Sequence, residues 1–267
     1  MTVQKFNENR QFGVEIEFTG DRDLVASIMR NKGLNAQTME YTHAVVPQWK
    51  VIRDGSCGWE VVSPILKGRE GLRQLELACQ ALKEAGASVD NKCGLHVHHD
   101  VNTHSVEQIR NIFIIYYKLE KAFDQLIQKN RRADNNQYCG SLQSITTMNA
   151  LRSAKTISQL SSVFHTRYLK VNFQSYVKYG TVEFRQHGGT IHYGKMYNWI
   201  LLTQQVVEAA YNSSPKAVYQ AEFDNLQGMR NILKLIPAKG ADEEISSMFT
   251  WMKGRAKRLA VTGYSTH

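Results

Sequence analysis

The chain lacks any uninterrupted apolar run near the roughly 20 residues that span a bilayer, so membrane-spanning functions are excluded from the expectation. Its opening residues, Met1 to Glu8, carry no apolar signal-peptide core, and the expected location is cytoplasmic. Cysteine is scarce: Cys57, Cys79, Cys93 and Cys139 show neither CxxC pairing nor zinc-finger spacing. Reduced thiols are the expectation for such a chain. With only 4 prolines, no repeat and no low-complexity tract to mark a linker, the expected organisation is a single catalytic domain over 1–267, ending in a helical part over 195–267. That length can bury a substantial core.

Positive charge is plentiful. The net charge of +9 favours anionic partners, such as nucleotide phosphates or nucleic acid. Basic residues are spread throughout, so this is a weak signal, and the one local cluster, Lys253, Arg255, Lys257 and Arg258, is read first as a solvated C-terminal helix face.

Several short stretches place apolar residues on one side of a strand and polar ones on the other. In Gly13-Val-Glu-Ile-Glu-Phe18, alternation sends Val14, Ile16 and Phe18 one way and Glu15 and Glu17 the other. Gly94-Leu-His-Val-His-His-Asp100 sets Leu95 and Val97 against His96, His98 and Asp100, and sends His99 to the apolar side. Thr181-Val-Glu-Phe-Arg185 sets Glu183 and Arg185 against Val182 and Phe184. Trp59 to Pro64 contributes Glu60, and Tyr168 to Phe173 contributes Lys170 and Asn172. If these strands share a sheet, its polar face has the composition of a metal-nucleotide site.

Helices are expected at 21–32, 69–85, from Ser105 through Ile127, and at 157–164, 195–211, 223–235 and 242–259. Ser105-x-x-Gln108 has the form of a capping box. Strand pairs are expected at 48–54 with 58–63 and at 168–177 with 180–186, turning at Asp54-Gly55-Ser56 and Tyr179-Gly180. The expected fold class is α+β: an antiparallel sheet with helices on one face and an open second face. Asn130 to Ser153 is polar with little periodicity, and is expected to be a binding loop or lid rather than plain disorder.

Magnesium takes oxygen ligands and keeps waters, so a few carboxylates with room for phosphates suit it. Glu15, Glu17, Glu60 and Glu183 are the candidates, with His96 or His98 as a nitrogen ligand or phosphate donor. Arg185 is placed to hold a phosphate oxygen through its planar fork. An ExE or HxH alone is a weak signal, since solvated sheet faces carry such pairs; their joint occurrence opposite apolar partners is stronger.

Gly13-Val-Glu-Ile-Glu-Phe, Asp54-Gly-Ser, Trp59-Glu-Val-Val-Ser-Pro, Cys93-Gly-Leu-His-Val-His, Arg167 to Asn172 and Val182-Glu-Phe-Arg-Gln-His-Gly-Gly-Thr190 follow one another in order. Together they resemble the putative amidoligase family, over about 12–200. The family is grouped with glutamine synthetase and glutamate-cysteine ligase among the carboxylate-amine ligases. Arg131-Arg132 through Asn135 to Tyr138-Cys139 is similar to a loop motif of the same family.

The resemblance implies a glutamine synthetase-like sheet whose open face binds ATP and Mg2+ or Mn2+. It implies a reaction in which a carboxylate takes the γ-phosphoryl group and an amine then displaces phosphate. Glu15, Glu17, Glu60, His96 and Glu183 would hold metal, and Arg185 would hold phosphate. Arg167, Lys170, Asn172 and His98 would contact the nucleotide or acyl phosphate. Arg131 and Arg132 would add positive charge as the 130–153 segment closes. Asp54 or Glu60 could take the proton of the incoming amine. The implied partners are a small-molecule or peptide carboxylate and an amine, with no membrane and an open oligomeric state. A metal-dependent phosphohydrolase or nuclease, or a non-catalytic nucleotide- or nucleic-acid-binding module, uses the same residue types and stays open on sequence grounds.

Overall fold

Residues 6–214, 218, 225–233 and 243–262 are described by a computed structural model of the chain. The parts of the expected helices at 223–235 and 242–259 that fall on 223–224, 234–235 and 242 lie outside the described residues. The chain folds as two compact units. One comprises Asn7–His99 and His187–Ile200; the other comprises Phe6, Asp100–Gln186 and the described residues from Leu201 to Thr262.

The first unit is built on β1 (Gln11–Phe18), α1 (Arg22–Asn31), β2 (Ala36–Thr38), β3 (Trp49–Asp54), β4 (Gly58–Val62), β5 (Leu66–Lys67), α2 (Gly68–Glu84) and β6 (Gly94–Asp100). Its strands lie in the order β2-β3-β4-β1-β6, with β5 also paired to β1. The expected antiparallel sheet is mixed: β2 runs parallel to β3, while β1 pairs antiparallel with β4, β5 and β6. The parallel pairing is possible because the long 39–48 connection between β2 and β3, which no hairpin signal announces, carries the chain back to start β3 beside the start of β2.

Register fixes the two faces. Glu15 stands opposite His96 and Val62, and Glu17 opposite Glu60. Ile52 faces Glu60, which puts Lys50, Ile52 and Asp54 on the same side as the glutamates. On the other side, Val14, Ile16, Phe18, Val51, Val61, Leu95 and Val97 are buried. Helix α1 packs on α2 and β3, adding Val25, Ala26 and Met29 to the core, and α2 adds Leu72, Leu75, Ala78 and Leu82. Each large aliphatic side chain so buried contributes about 1.5–3 kcal/mol. Helix α1 starts where the Asp21 carboxylate accepts from the Asp23 and Leu24 amides at 2.9 and 3.0 Å.

The second unit centres on α3 (Val106–Asp124), opened by the expected Ser105–Gln108 capping box. Short helices α4 (Leu142–Ile145), α5 (Met148–Ser153) and α6 (Ile157–Val163) follow. Their N-caps are Ser141, Thr147 and Thr156. The Asn130–Ser153 stretch is therefore not structureless. Two of its hydroxyls, Ser141 and Thr147, cap short helices, and Leu142 and Leu151 are fully buried.

The expected 168–177 strand is mostly replaced. Of that stretch, Val171–Asn172 forms a strand, β7, which pairs with β8 (Thr181–Gly188), and α7 (Gln174–Tyr179) fills the gap. The Asn172 carboxamide oxygen accepts from the Gln174 amide at 2.8 Å, turning the chain into that helix. Gly180 closes it with φ +69°, a left-handed conformation whose added Cβ would also strike the Asn102 side chain. Helix α8 (Tyr193–Asn212) and helices over Leu226–Ile232 and Glu243–Thr262 follow.

Candidate functional site

In the first unit the polar sheet face gathers Glu15, Glu17, Glu60, His96, His98 and Asp54. Ligand atoms of Glu15, Glu60 and His96 lie within 4.8 Å of one another, and so do those of Glu17, Asp54 and Glu60. His96 bridges the β1 glutamates. Its Nδ1 is 2.9 Å from Glu15 Oε2, and its Nε2 is 3.6 Å from Glu17 Oε1. His98 Nε2 lies 3.4 Å from the other Glu15 oxygen. Glu17 is fixed further by the Gly94 amide, which donates to Oε2 at 2.6 Å.

The electrostatics favour ionised Glu15 and Asp54. Burial raises the Glu15 carboxyl, but hydrogen bonds and charge from His96 and His98 outweigh it and hold Glu15 well below the usual carboxylate range. Burial also acts to raise Asp54. It is outweighed by donation from the Ser56 hydroxyl, the Cys57 and Ser56 amides and the charge of His96, so Asp54 lies below its ordinary value. These donors stand 2.6–2.8 Å from one Asp54 oxygen. Hard divalent cations bind such oxygen-rich sets, and the donor chemistry fits Mg2+ or Mn2+ with an imidazole alongside.

Sequence reasoning missed Lys50. Its ammonium group is buried and donates to the carbonyls of Thr42 and Ala44 at 3.2 and 2.8 Å, tethering the 39–48 connection to this face. Burial lowers the Lys50 pKa, while the charges of Glu15 and Glu60 act to raise it. The signal was available: Lys50, Ile52 and Asp54 alternate along β3, so finding Asp54 implicates Lys50.

Sequence reasoning also missed a disulfide. Cys57 and Cys93 are bonded, 36 residues apart with Cα atoms separated by 5.1 Å, and so depart from the expectation of reduced thiols. Cys57 lies just before β4 and Cys93 just before β6, and both strands flank β1. Proximity came from pairing across β1, which spacing along the chain does not reveal. Cys79 and Cys139 are free and buried, in keeping with the expectation.

In the second unit, Glu183 is buried and fully engaged. Asn172 and Ser175 donate to one oxygen at 2.6 and 2.9 Å, and Arg185 donates to the other at 2.6 Å. Arg185 also reaches the Tyr138 carbonyl at 3.4 Å. Lys170 has no exposed surface and lies 2.8 Å from both Glu120 and Asp124. Arg131 is buried and donates to the Arg185 carbonyl, and Arg132 donates to the Ile127 carbonyl. Arg167 stays at the surface. It is hydrogen-bonded to the Tyr168 hydroxyl at 3.2 Å with its guanidinium 5.0 Å from that ring, and Tyr138 packs edge-on against Tyr168. Glu15, Glu17, Glu60, His96, His98 and Asp54 are thus brought together in one unit, and Asn172, Glu183 and Arg185 in the other.

A family model for putative amidoligase enzymes matches residues 8–207. Comparison with curated proteins gives no match. Among the described residues, no helix is long and apolar enough to cross a membrane.

Proposed function

The chain belongs to the putative amidoligase enzymes, and from that premise we propose that it is an ATP-dependent carboxylate-amine ligase working through an acyl phosphate with Mg2+ or Mn2+. The observation that carries this reading is the overlapping donor set of Glu15, Glu17, Glu60, Asp54 and His96 on one sheet face. Divalent ions held there would neutralise phosphate oxygens and the charge that develops on them during transfer.

The chain's own residues have separable tasks in this scheme. Glu15, Glu17 and Glu60 bind the ions, with the two histidines holding Glu15 ionised at neutral pH. Asp54, anchored by its turn, would share an ion with Glu17 and Glu60. In the other unit, Arg185, pinned by Glu183, presents a planar cation suited to a phosphate. Arg167 and Tyr168 form an exposed cation–aromatic surface of the kind on which a nucleobase stacks. The partners would be a small-molecule or peptide carboxylate and an amine, and a glutamine synthetase-like fold accords with the role.

The test is a screen for ADP and phosphate release from ATP and Mg2+ with pooled carboxylates and hydroxylamine as a general amine. Hydroxamate formation coupled to ADP supports the ligase. Metal-dependent cleavage of a phosphodiester without ATP, and no ADP under any acceptor pair, would instead make the site a phosphohydrolase.

A further inference from the structure

The Cys57–Cys93 bond sits one link away from the carboxylate cluster at both of its ends. Cys57 donates its amide to Asp54 at 2.8 Å, inside the turn that fixes that carboxylate. Cys93 precedes Gly94, whose amide donates to Glu17 at 2.6 Å. The surroundings hold the second cysteine in place. Asp90 accepts from the Cys93 amide at 3.2 Å, and the Gly189 amide donates to the Cys93 carbonyl at 2.6 Å. A Cβ at Gly189 would come within 2.5 Å of the Cys93 Cβ, so the 187–190 segment packs directly on this end of the bond. Cys93 is fully buried and Cys57 is 7% exposed, so what access a reagent has is at Cys57.

We propose that Cys57 and Cys93 form a reversible thiol–disulfide site that sets metal affinity, the oxidised form holding Asp54 and Glu17 in the geometry that binds divalent cations. The proposal rests on the metal role assigned above to the carboxylate cluster. The reagent class is a low-molecular-weight or protein disulfide. Its S–S bond breaks as the Cys57–Cys93 bond forms; the two protein thiols lose two electrons and two protons, and the reagent leaves as two thiols. Reduction by a dithiol runs the same exchange backwards. Freed from each other, the β3–β4 turn and the lead-in to β6 would no longer be tied across the end of β1. The amides of Cys57 and Gly94 act as outer-shell partners to the carboxylates, a class whose loss weakens metal binding by about 10- to 100-fold.

The test is calorimetric titration of Mn2+ alone into the full chain, first oxidised and then after dithiothreitol and alkylation with iodoacetamide, with thiol content read by mass. The expected result is affinity at least about tenfold weaker in the reduced form, regained when the unalkylated reduced protein is reoxidised. The Cys57→Ser/Cys93→Ser double variant should bind like the reduced form and ignore dithiothreitol. If that variant does not fold, Cys57→Ala, which leaves Cys93 packed against Gly189, makes the same comparison. Equal affinity in both redox states, with binding intact, overturns the coupling and leaves the metal site standing. No Mn2+ binding in either state overturns the metal assignment and the proposal with it.

Discussion

The Lys170 cluster and the Glu15 cluster both bring acidic and basic side chains together, yet they are built differently. Lys170 is fully enclosed, and its ammonium lies 2.8 Å from each of two carboxylates, Glu120 and Asp124. Gln186 Nε2 donates to Asp124, and the Tyr116 hydroxyl donates to Gln186. The cation there is matched by its neighbours, as expected of an internal strut. In the Glu15 cluster four acidic side chains gather in overlapping groups, and Glu15 retains 27% side-chain exposure. What acts on Glu15 is imidazole, a weak and titratable base, and the Lys50 ammonium is engaged by carbonyls. A matched cluster is stable by itself; a carboxylate-rich one has capacity left for a cation from solution. Buried charge alone does not mark a site, whereas buried charge of one sign with access does.

Breaking the matched cluster should have the largest effect. Lys170→Met leaves Glu120 and Asp124 without their cation and is expected to cost about 3–5 kcal/mol, read by urea denaturation. A loss below about 1 kcal/mol would mean that Lys170 is not a strut.

Breaking the carboxylate cluster should act on binding rather than on folding. Glu15→Gln/Glu17→Gln should lower Mn2+ affinity by more than about 100-fold, beyond what outer-shell changes cause. Its denaturation midpoint without metal should stay close to wild type. A large stability loss with affinity kept would reverse the roles of the two clusters.

Arg185→Lys keeps the charge but loses the fork that holds Glu183 and would hold phosphate. Turnover in the ADP-release assay should fall roughly 10- to 100-fold, less than when a whole transition-state donor is removed. Full turnover would make Arg185 a strut like Lys170.

The smallest effect concerns His99, the apolar-side neighbour of His98. Burial first, then the charges of Arg10 and His98, hold its pKa well below 6.5. The folded form therefore stays neutral where the unfolded chain takes up a proton. Stability is full above about pH 6.5 and falls by up to about 1.4 kcal/mol per unit as pH drops toward the lower folded value. His99→Leu should flatten that part of the pH–stability curve while leaving Mn2+ binding intact. An unchanged slope would place the acid sensitivity elsewhere.

What was legible in the sequence was local. Alternation in β1 and β6 gave Glu15, Glu17, His96 and His98 one face and His99 the other, because strand period is geometric and needs no partner. The capping box at Ser105 and the β3–β4 turn at Asp54 were equally local. The family resemblance rested on ordered motifs and agrees with the match over 8–207. What stayed hidden depended on partners distant in sequence. Lys170 shares its parity with Asn172 and was expected on the polar face, but it is buried against Glu120 and Asp124, which α3 supplies and nothing nearby in the sequence announces. The Cys57–Cys93 bond required the β4-β1-β6 order. The 168–177 strand failed for a local reason: the Asn172 carboxamide takes the Gln174 amide and turns the chain out of the sheet, and an asparagine in an alternating stretch reads as polar face rather than as a stop.

The most direct measurement for the central claim is isothermal calorimetry of ATP binding to the wild-type chain, with and without Mg2+, beside Glu15→Gln/Glu17→Gln. The account predicts saturable binding that requires Mg2+ in the wild type and is lost in the double variant while its circular dichroism is unchanged. Equal Mg-ATP affinity in the two proteins would contradict it.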